Sequence, residues 1–220
     1  MTKEIYLFSG LGADERVFQK LDFSGFHITH IKWINPQGPE TIESYASRII
    51  LQIKTVKPIL IGLSFGGMMA VEVAKQIDTE KVILIASAKT GTEIPFYFRI
   101  AGQLRLHKLL SEKLLKRPSF FINWMFGANS ESEKRLLKQI LADTDGTFLK
   151  WAIDSITRWK NYTSTKNVFH IHGTHDKILP DWFVKCDARV KDGGHLMTLN
   201  KAEEINSILH QQLKNFRGAP

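Results

Sequence analysis

The hydrophobic pattern of the chain alternates between short, continuous apolar runs and longer stretches with helical spacing. The runs have the length of buried strands, and the stretches between them show the three-and-four spacing of helices packed on one side. Buried strands that alternate with helices indicate a parallel sheet covered on both faces. We therefore predict an α/β fold with strands at residues 5–8, 27–34, 59–61, 82–86, 167–172 and 188–190.

Helix starts can be predicted at several positions between these strands. Thr41 is suited to cap a helix, because the apolar residues after it recur every three or four positions. Asn200, with Glu203 three positions later, resembles a capping box for a final helix. A further helix is predicted to begin at Pro180.

The pattern changes at residues 89–161, where no strand is predicted. Ten of the chain's 23 aromatic residues fall here. A helical insertion between strands of a parallel sheet is typical of a lid over the carboxyl edge, where such sheets bind ligands. Alternatively, the aromatic residues only form the insertion's own core. Amphipathic helices are indicated by Leu104, Leu106, Leu109, Leu110, Leu114, Leu115, Leu136, Leu137, Ile140 and Leu141.

One stretch, residues 62–67, joins the third predicted strand to a helix and reads Gly-Leu-Ser-Phe-Gly-Gly. It contains Gly-x-Ser-x-Gly, which places a serine at the tip of a strained strand-to-helix turn. Gly62 and Gly66 remove β-carbons that would collide across such a turn. The pentapeptide also arises by chance, but its place between a strand and a helix favours Ser64 as a nucleophile.

An activated serine needs a base within hydrogen-bond reach and a carboxylate that orients the base. Asp176 follows the strand predicted at residues 167–172, and His195 follows the last strand. Because loops after parallel strands meet at one edge of the sheet, we expect both beside Ser64. Asp181 and Asp192 are alternative acids. Asp192 lies only three residues before His195, so the chain would have to turn back sharply for its carboxylate to reach the imidazole.

The histidines before Asp176 allow a different interpretation. His170, His172 and His175 form a His-x-His-x-x-His-Asp pattern with it, which is compatible with metal ligands. However, the acid follows the last histidine, and no other cluster of histidine and acidic residues completes a site. We therefore predict no metal and no cofactor.

Together these motifs resemble the α/β-hydrolase superfamily, in which the catalytic residues follow in the order Ser, Asp, His. The resemblance rests on residues 9–12, 62–67, 172–176 and 193–195. It implies an α/β-hydrolase fold of about six parallel strands in the order 2-1-3-4-5-6. The first two sheet strands of the family have no counterpart in this chain.

The resemblance also implies a single domain over residues 1–220, with residues 89–161 as a helical cap after the fourth strand. The sequence around His195 is similar to that of the small methylesterase and hydroxynitrile-lyase group. Those lyases place a lysine directly after the histidine and a threonine in the first-strand loop. Leu196 and Gly10 occupy these positions here, which favours hydrolysis over cyanohydrin cleavage.

An oxyanion hole with two N–H donors is a further implication of the resemblance. The amide of Phe65, first in the helix after Ser64, is expected to be one donor. The other is expected from the turn at residues 9–12, most simply the amide of Leu11. Ser9 replaces the common histidine of that loop, which leaves the backbone donor in place but requires different supporting hydrogen bonds.

The composition of the chain indicates the class of protein and its location in the cell. The 220 residues are 43% hydrophobic and 24% charged, as in a soluble globular protein. No apolar run approaches the roughly 20 residues of a membrane span, and residues 1–4 leave no room for a signal peptide. The single cysteine, Cys186, suits a reducing cytosol. We expect a cytoplasmic protein.

The net charge of +8 is uneven, because residues 89–161 hold 13 Lys and Arg against 7 Asp and Glu. A basic surface attracts many kinds of anion, but the chain contains no recognisable nucleic-acid-binding module. The sequence predicts a serine esterase that acts on a small ester with an apolar group. One alternative is an acyl-carrier-protein (thio)esterase whose acidic carrier meets the basic lid. Another is a non-catalytic ligand-binding protein on the same fold.

Overall fold

The computed structural model describes residues 3–105 and 119–216. In these residues six strands form one parallel sheet in the order β2-β1-β3-β4-β5-β6. The predicted fold class and strand order are therefore confirmed. The strands are β1 (Glu4–Phe8), β2 (His27–His30), β3 (Ile59–Leu63), β4 (Lys81–Ile85), β5 (Val168–Gly173) and β6 (Ala188–Val190).

Helices cover both faces of the sheet. The helix predicted at Pro180 is only a 3-10 turn, Asp181–Phe183, and further 3-10 turns lie at Glu15–Phe18, Ile50–Gln52, Gly91–Glu93 and Lys214–Phe216. The α-helices are α1 (Ile42–Ile49), α2 (Phe65–Ala74), α3 (Phe96–Gln103), α4 (Phe120–Phe126), α5 (Glu131–Asp143), α6 (Gly146–Thr157), α7 (Met197–Asn200) and α8 (Ala202–Leu213).

Alternate residues of the central strands serve two separate cores, since successive side chains of a strand point to opposite faces. In β1, Tyr6 and Phe8 pack with α1 and α2 on one face of the sheet. Ile5 and Leu7 pack with α8 on the other face. Burial on both sides explains why these strands are continuous apolar runs in the sequence.

The second strand is shorter than the alternating pattern at residues 27–34 predicted. Ile31 N–H still donates to the Leu7 carbonyl of β1, but the next residues turn to side-chain partners. Lys32 N–H donates to Gln52, and Ile34 N–H donates to the hydroxyl of Tyr45. The alternating pattern therefore extends beyond the strand itself, because side chains rather than β1 satisfy the N–H groups of Lys32 and Ile34.

Of the two predicted helix caps, one is confirmed and one is wrong. Thr41 accepts a hydrogen bond from Ser44 N–H at the start of α1. The capping box predicted at Asn200 does not form, because Asn200 ends α7 and Lys201 precedes α8 without a side-chain cap. The Asn200 amide instead donates to the Gly127 carbonyl, 3.1 Å away.

The segment between β4 and β5 contains α3, α4, α5 and α6, and the predicted helical leucines between 106 and 115 lie outside the described residues. Two aromatic residues of α6 attach the segment to α1 and to the loop after β2. Trp151 lies 4.3 Å from Tyr45, and Phe148 stacks on Trp33 at 5.4 Å, measured between ring centroids. Phe120, by contrast, is 86% exposed, so the aromatic residues do not form one closed core.

Candidate active site

Ser64 occupies the turn between β3 and α2, with its backbone at φ 53° and ψ −123°. A positive φ is strained for any residue except glycine and persists only when its surroundings hold it. Ser64 N–H donates to the Ile85 carbonyl at 2.9 Å. Its own carbonyl accepts from the Ser87 hydroxyl at 2.6 Å. The end of β4 and the loop after it therefore hold the serine in its strained conformation.

The glycines around Ser64 are required by close backbone contacts. A β-carbon on Gly62 would lie 2.4 Å from the Gly66 carbonyl oxygen. One on Gly66 would lie 2.2 Å from the carbonyl oxygens of both Phe8 and Ser9, at the end of β1. The crowding predicted from the sequence is therefore present, and it extends from the turn itself to the neighbouring strand.

The side chains of Ser64, His195 and Asp176 form one hydrogen-bonded line. His195 Nε2 lies 2.8 Å from Ser64 Oγ, and His195 Nδ1 lies 2.7 Å from Asp176 Oδ2. A carboxylate only accepts hydrogen bonds, so Nδ1 carries the proton and Nε2 of the neutral ring accepts from the serine hydroxyl. His195 and Asp176 are buried. Loops after three different strands thus bring these residues together.

Asp176 is fixed by the turn that follows it. Its Oδ1 accepts from the N–H groups of Ile178 and Leu179, each at 2.9 Å. Burial raises the pKa of Asp176, but the attraction and hydrogen bond of His195 more than offset this, and the pKa lies below its ordinary value. The acid is therefore held as a charged carboxylate against the imidazole.

The alternative acids pair with surface residues instead. Asp181 lies 3.5 Å from Arg189 Nε, and Asp192 lies 3.1 Å from Nδ1 of the exposed His175. Asp176 is the acid that the structure places on His195.

His170 and His172, considered above as metal ligands, form a buried pair behind Asp176. His172 Nε2 lies 2.7 Å from the Leu179 carbonyl oxygen, and His172 Nδ1 lies 3.1 Å from His170 Nε2. Because the carbonyl can only accept, Nε2 of His172 carries its proton, and Nδ1 of the neutral ring accepts from His170. The pair joins β5 to the turn that carries Asp176. In the described residues no cluster of three or more His, Cys, Asp or Glu could hold a metal.

The loop of His195 is held by the end of α4, which sequence reasoning did not foresee. Leu196 N–H donates to the Phe126 carbonyl at 3.0 Å. The Phe126 ring meets the His195 ring edge-on at 5.7 Å. Gly127 ends α4 with φ 70°, and a β-carbon there would lie 3.2 Å from Gly194 Cα. A glycine after an apolar helix is the only sign of this contact in the sequence.

The turn at residues 9–12 lies against Ser64, since a β-carbon on Gly10 would be 3.6 Å from that of Ser64. Leu11 and Gly12 occupy the middle of a turn closed by Ala13 N–H on the Gly10 carbonyl. The Leu11 N–H takes no part in that closing hydrogen bond. Phe65, as the first residue of α2, precedes the hydrogen-bond ladder of its helix.

New partners support the turn where Ser9 replaces the histidine common in that loop. The Ser9 hydroxyl donates to the Ala13 carbonyl at 2.6 Å and accepts from the Trp33 indole at 3.1 Å. The hydroxyl of Thr144 lies 2.8 Å from the Gly12 carbonyl. Trp33 and Thr144 were not predicted, because nothing in their local sequence marks them as neighbours of this turn.

Residues 10–208 match the sequence profile of a known protein family, described as the alpha/beta hydrolase family. The chain belongs to the alpha/beta hydrolase family. The match includes the Ser64 turn, Asp176 and His195. No protein in the curated collection of sequences matches the chain.

Solved structures share the alpha/beta hydrolase fold over nearly the whole chain. A thermophilic esterase from Thermogutta terrifontis is 16% identical, with a TM-score of 0.70 over 99% of this chain and 92% of its own. The enol-lactonase from Burkholderia xenovorans LB400 is 17% identical (TM-score 0.71, 97% and 92%). A bromoperoxidase from Bacillus anthracis is 18% identical (0.67, 97% and 92%). At these identities the likeness shows the fold alone.

No helix in the described parts of this family member is long and apolar enough to cross a membrane.

Proposed function

We propose that the protein is a serine hydrolase that cleaves a carboxylic ester through an acyl-enzyme on Ser64. The observation that carries the proposal is the line from Ser64 Oγ through His195 to Asp176, with separations of 2.8 and 2.7 Å. A hydroxyl is a weak nucleophile unless a base takes its proton, and an imidazole oriented by a carboxylate is such a base.

Each residue has a defined part in the proposed reaction. His195 Nε2 takes the proton of Ser64 as Oγ attacks the ester carbonyl, and Asp176 stabilises the imidazolium that forms. The N–H groups of Phe65 and Leu11 stabilise the developing oxyanion. His195 then gives the proton to the departing alcohol. In the second half, His195 activates a water molecule that releases the acid from Ser64.

The position after His195 supports hydrolysis over cyanohydrin cleavage. Leu196 is 5% exposed and packs in a small apolar cluster with Leu137 and Leu199. An apolar side chain there offers no cation to stabilise a leaving cyanide.

The test is the replacement Ser64→Ala, assayed on a short aryl ester. We expect turnover to fall at least ~10³-fold, because triad members typically contribute this much or more. Ser44→Ala, on the exposed side of α1, is the matched control and should keep wild-type turnover. Unchanged turnover in Ser64→Ala would contradict the proposal.

A carrier-bound thioester is the second candidate substrate, because the +6 charge of residues 89–161 would attract an acidic carrier. Steering by such charge weakens as salt screens it. The rate on a carrier-bound substrate should therefore fall as salt rises. A flat salt profile would instead favour a small neutral ester.

A further inference from the structure

A cavity of about 180 Å³ opens beside Ser64. Ser64 and Phe65 form part of its wall, so the nucleophile and one expected oxyanion donor both border it. The remaining wall comes from α2, α3 and α6, from Ile94 just before α3, and from the turn after Asp176.

The side chains that line the cavity are almost entirely apolar. Met68 and Ile94 are buried, and Met68 lies one helical turn beyond Ser64 on α2, about 5.4 Å along the axis. Phe98 of α3 and Ile156 of α6 also line the cavity. Apart from the hydroxyls of Ser64 and Thr157, the lining side chains carry no hydrogen-bonding group, and burial of a polar group without a partner is costly. The occupant that the cavity fits is a hydrocarbon.

The position of the cavity indicates which half of an ester it receives. In the proposed reaction His195 must reach the oxygen of the departing alcohol. The cavity is bordered by Ser64 and Phe65, whereas His195 is not among the described residues that line it. This position favours a chain attached to the carbonyl carbon, on the side of the ester that stays on Ser64.

The volume limits the length of that chain. At about 180 Å³ the cavity is smaller than the roughly 300–1,000 Å³ pockets that hold drug-sized ligands, so it has room for a short chain only. Burial of each methylene favours binding by a factor of about four. This gain should stop when the chain fills the cavity.

We propose that this cavity binds the acyl chain of the substrate, a short hydrocarbon chain, and that Met68, which is buried in its wall, sets the length limit. This inference rests on the proposed function, because it needs an acyl group on Ser64. It goes further by naming the substrate class and the residue that selects it.

The test is kcat/KM on 4-nitrophenyl esters with acyl chains of increasing length. Met68→Ala removes the end of a buried side chain in the cavity wall, so the preferred acyl chain should lengthen by about two or three carbon atoms. Met69→Ala is the matched control, because Met69 is equally buried on α2 but is not among the described lining residues. It should leave the preferred length unchanged.

A second variant keeps the test decisive if Met68→Ala folds poorly. Ile156→Phe enlarges a half-buried lining residue and should shorten the preferred chain by one or two carbon atoms. A parallel series with a fixed acetyl group and increasing alcohol length should respond to neither variant.

The outcomes separate this inference from the proposed function. If no ester is hydrolysed in a Ser64-dependent manner, the proposed function fails. If Ser64-dependent hydrolysis is present but the variants leave the preferred acyl length unchanged, the inference is overturned. It is also overturned if the variants shift the alcohol series instead, because the cavity would then hold the leaving group.

Discussion

At the scale of single residues, the arrangement of Ser64, His195 and Asp176 depends on side chains that hold them in place. His172 joins β5 to the Leu179 carbonyl, while the Leu179 N–H holds Asp176. His172 Nε2 also lies 3.7 Å from Asp176 Oδ2, so a charge on His172 would disturb the same carboxylate that orients His195. The pair of His170 and His172 is suited to this position as long as both rings are neutral.

The pKa values of these two histidines predict how stability changes with pH. Burial, together with the neighbouring His172, holds the pKa of His170 well below its ordinary 6.5. Burial also lowers the pKa of His172, although Asp176 partly opposes it. Below pH 6.5 the unfolded chain therefore binds protons that the folded chain cannot bind. As the pH falls, each of the two histidines lowers the free energy of unfolding by up to about 1.4 kcal/mol per pH unit.

Urea unfolding at pH 7.5 and 5.5 measures this effect. We expect the wild-type protein to lose stability between the two values and His172→Gln to lose less, by about 1 kcal/mol. His27→Gln, at an exposed site, should keep the wild-type change. Asp176 affects stability only at lower pH. Its pKa in the folded protein lies below 3.8, and its contribution to stability is lost as the pH falls through that lowered pKa. An equal loss in wild type and His172→Gln would contradict this interpretation.

At the scale of elements, the turn between β3 and α2 was predictable because its constraints are local. Gly62, Ser64 and Gly66 lie within five residues, and the sequence alone shows that β-carbons would crowd there. The end of β2 and the start of α8 were less predictable. In both cases a long-range partner decides the geometry, Gln52 for Lys32 and Gly127 for Asn200.

The substitution Gly66→Ala tests the crowding at this turn. The added β-carbon would lie 2.2 Å from two backbone oxygens, which cannot move away as a flexible side chain could. We expect the free energy of unfolding to drop by about 3 kcal/mol or more, at the upper end for overpacking. Gly38→Ala is the control. Gly38 has open space around it, so an added β-carbon meets no atom there, and only its φ of 58° disfavours alanine. We expect this substitution to lower the free energy of unfolding by about 1 kcal/mol. Equal losses in the two variants would show that contacts across the turn are not the constraint.

At the scale of the whole molecule, the parallel sheet explains why residues 64, 176 and 195 could be grouped from the sequence. Strands β3, β5 and β6 end at one edge, so the loops after them converge there. The partners of the 9–12 turn could not be deduced in the same way. Thr144 reaches Gly12 from the segment between β4 and β5, whose placement follows from packing rather than from any repeating pattern.

The central claim is that Ser64 is a nucleophile activated by His195. Labelling with a fluorophosphonate, followed by peptide mapping by mass spectrometry, tests this claim most directly. The account predicts one adduct on Ser64 in the wild-type protein, none in Ser64→Ala, and labelling slowed at least ~100-fold in His195→Gln, since a positioned base typically contributes this much or more. An adduct on another residue, or equal labelling rates with and without His195, would contradict it.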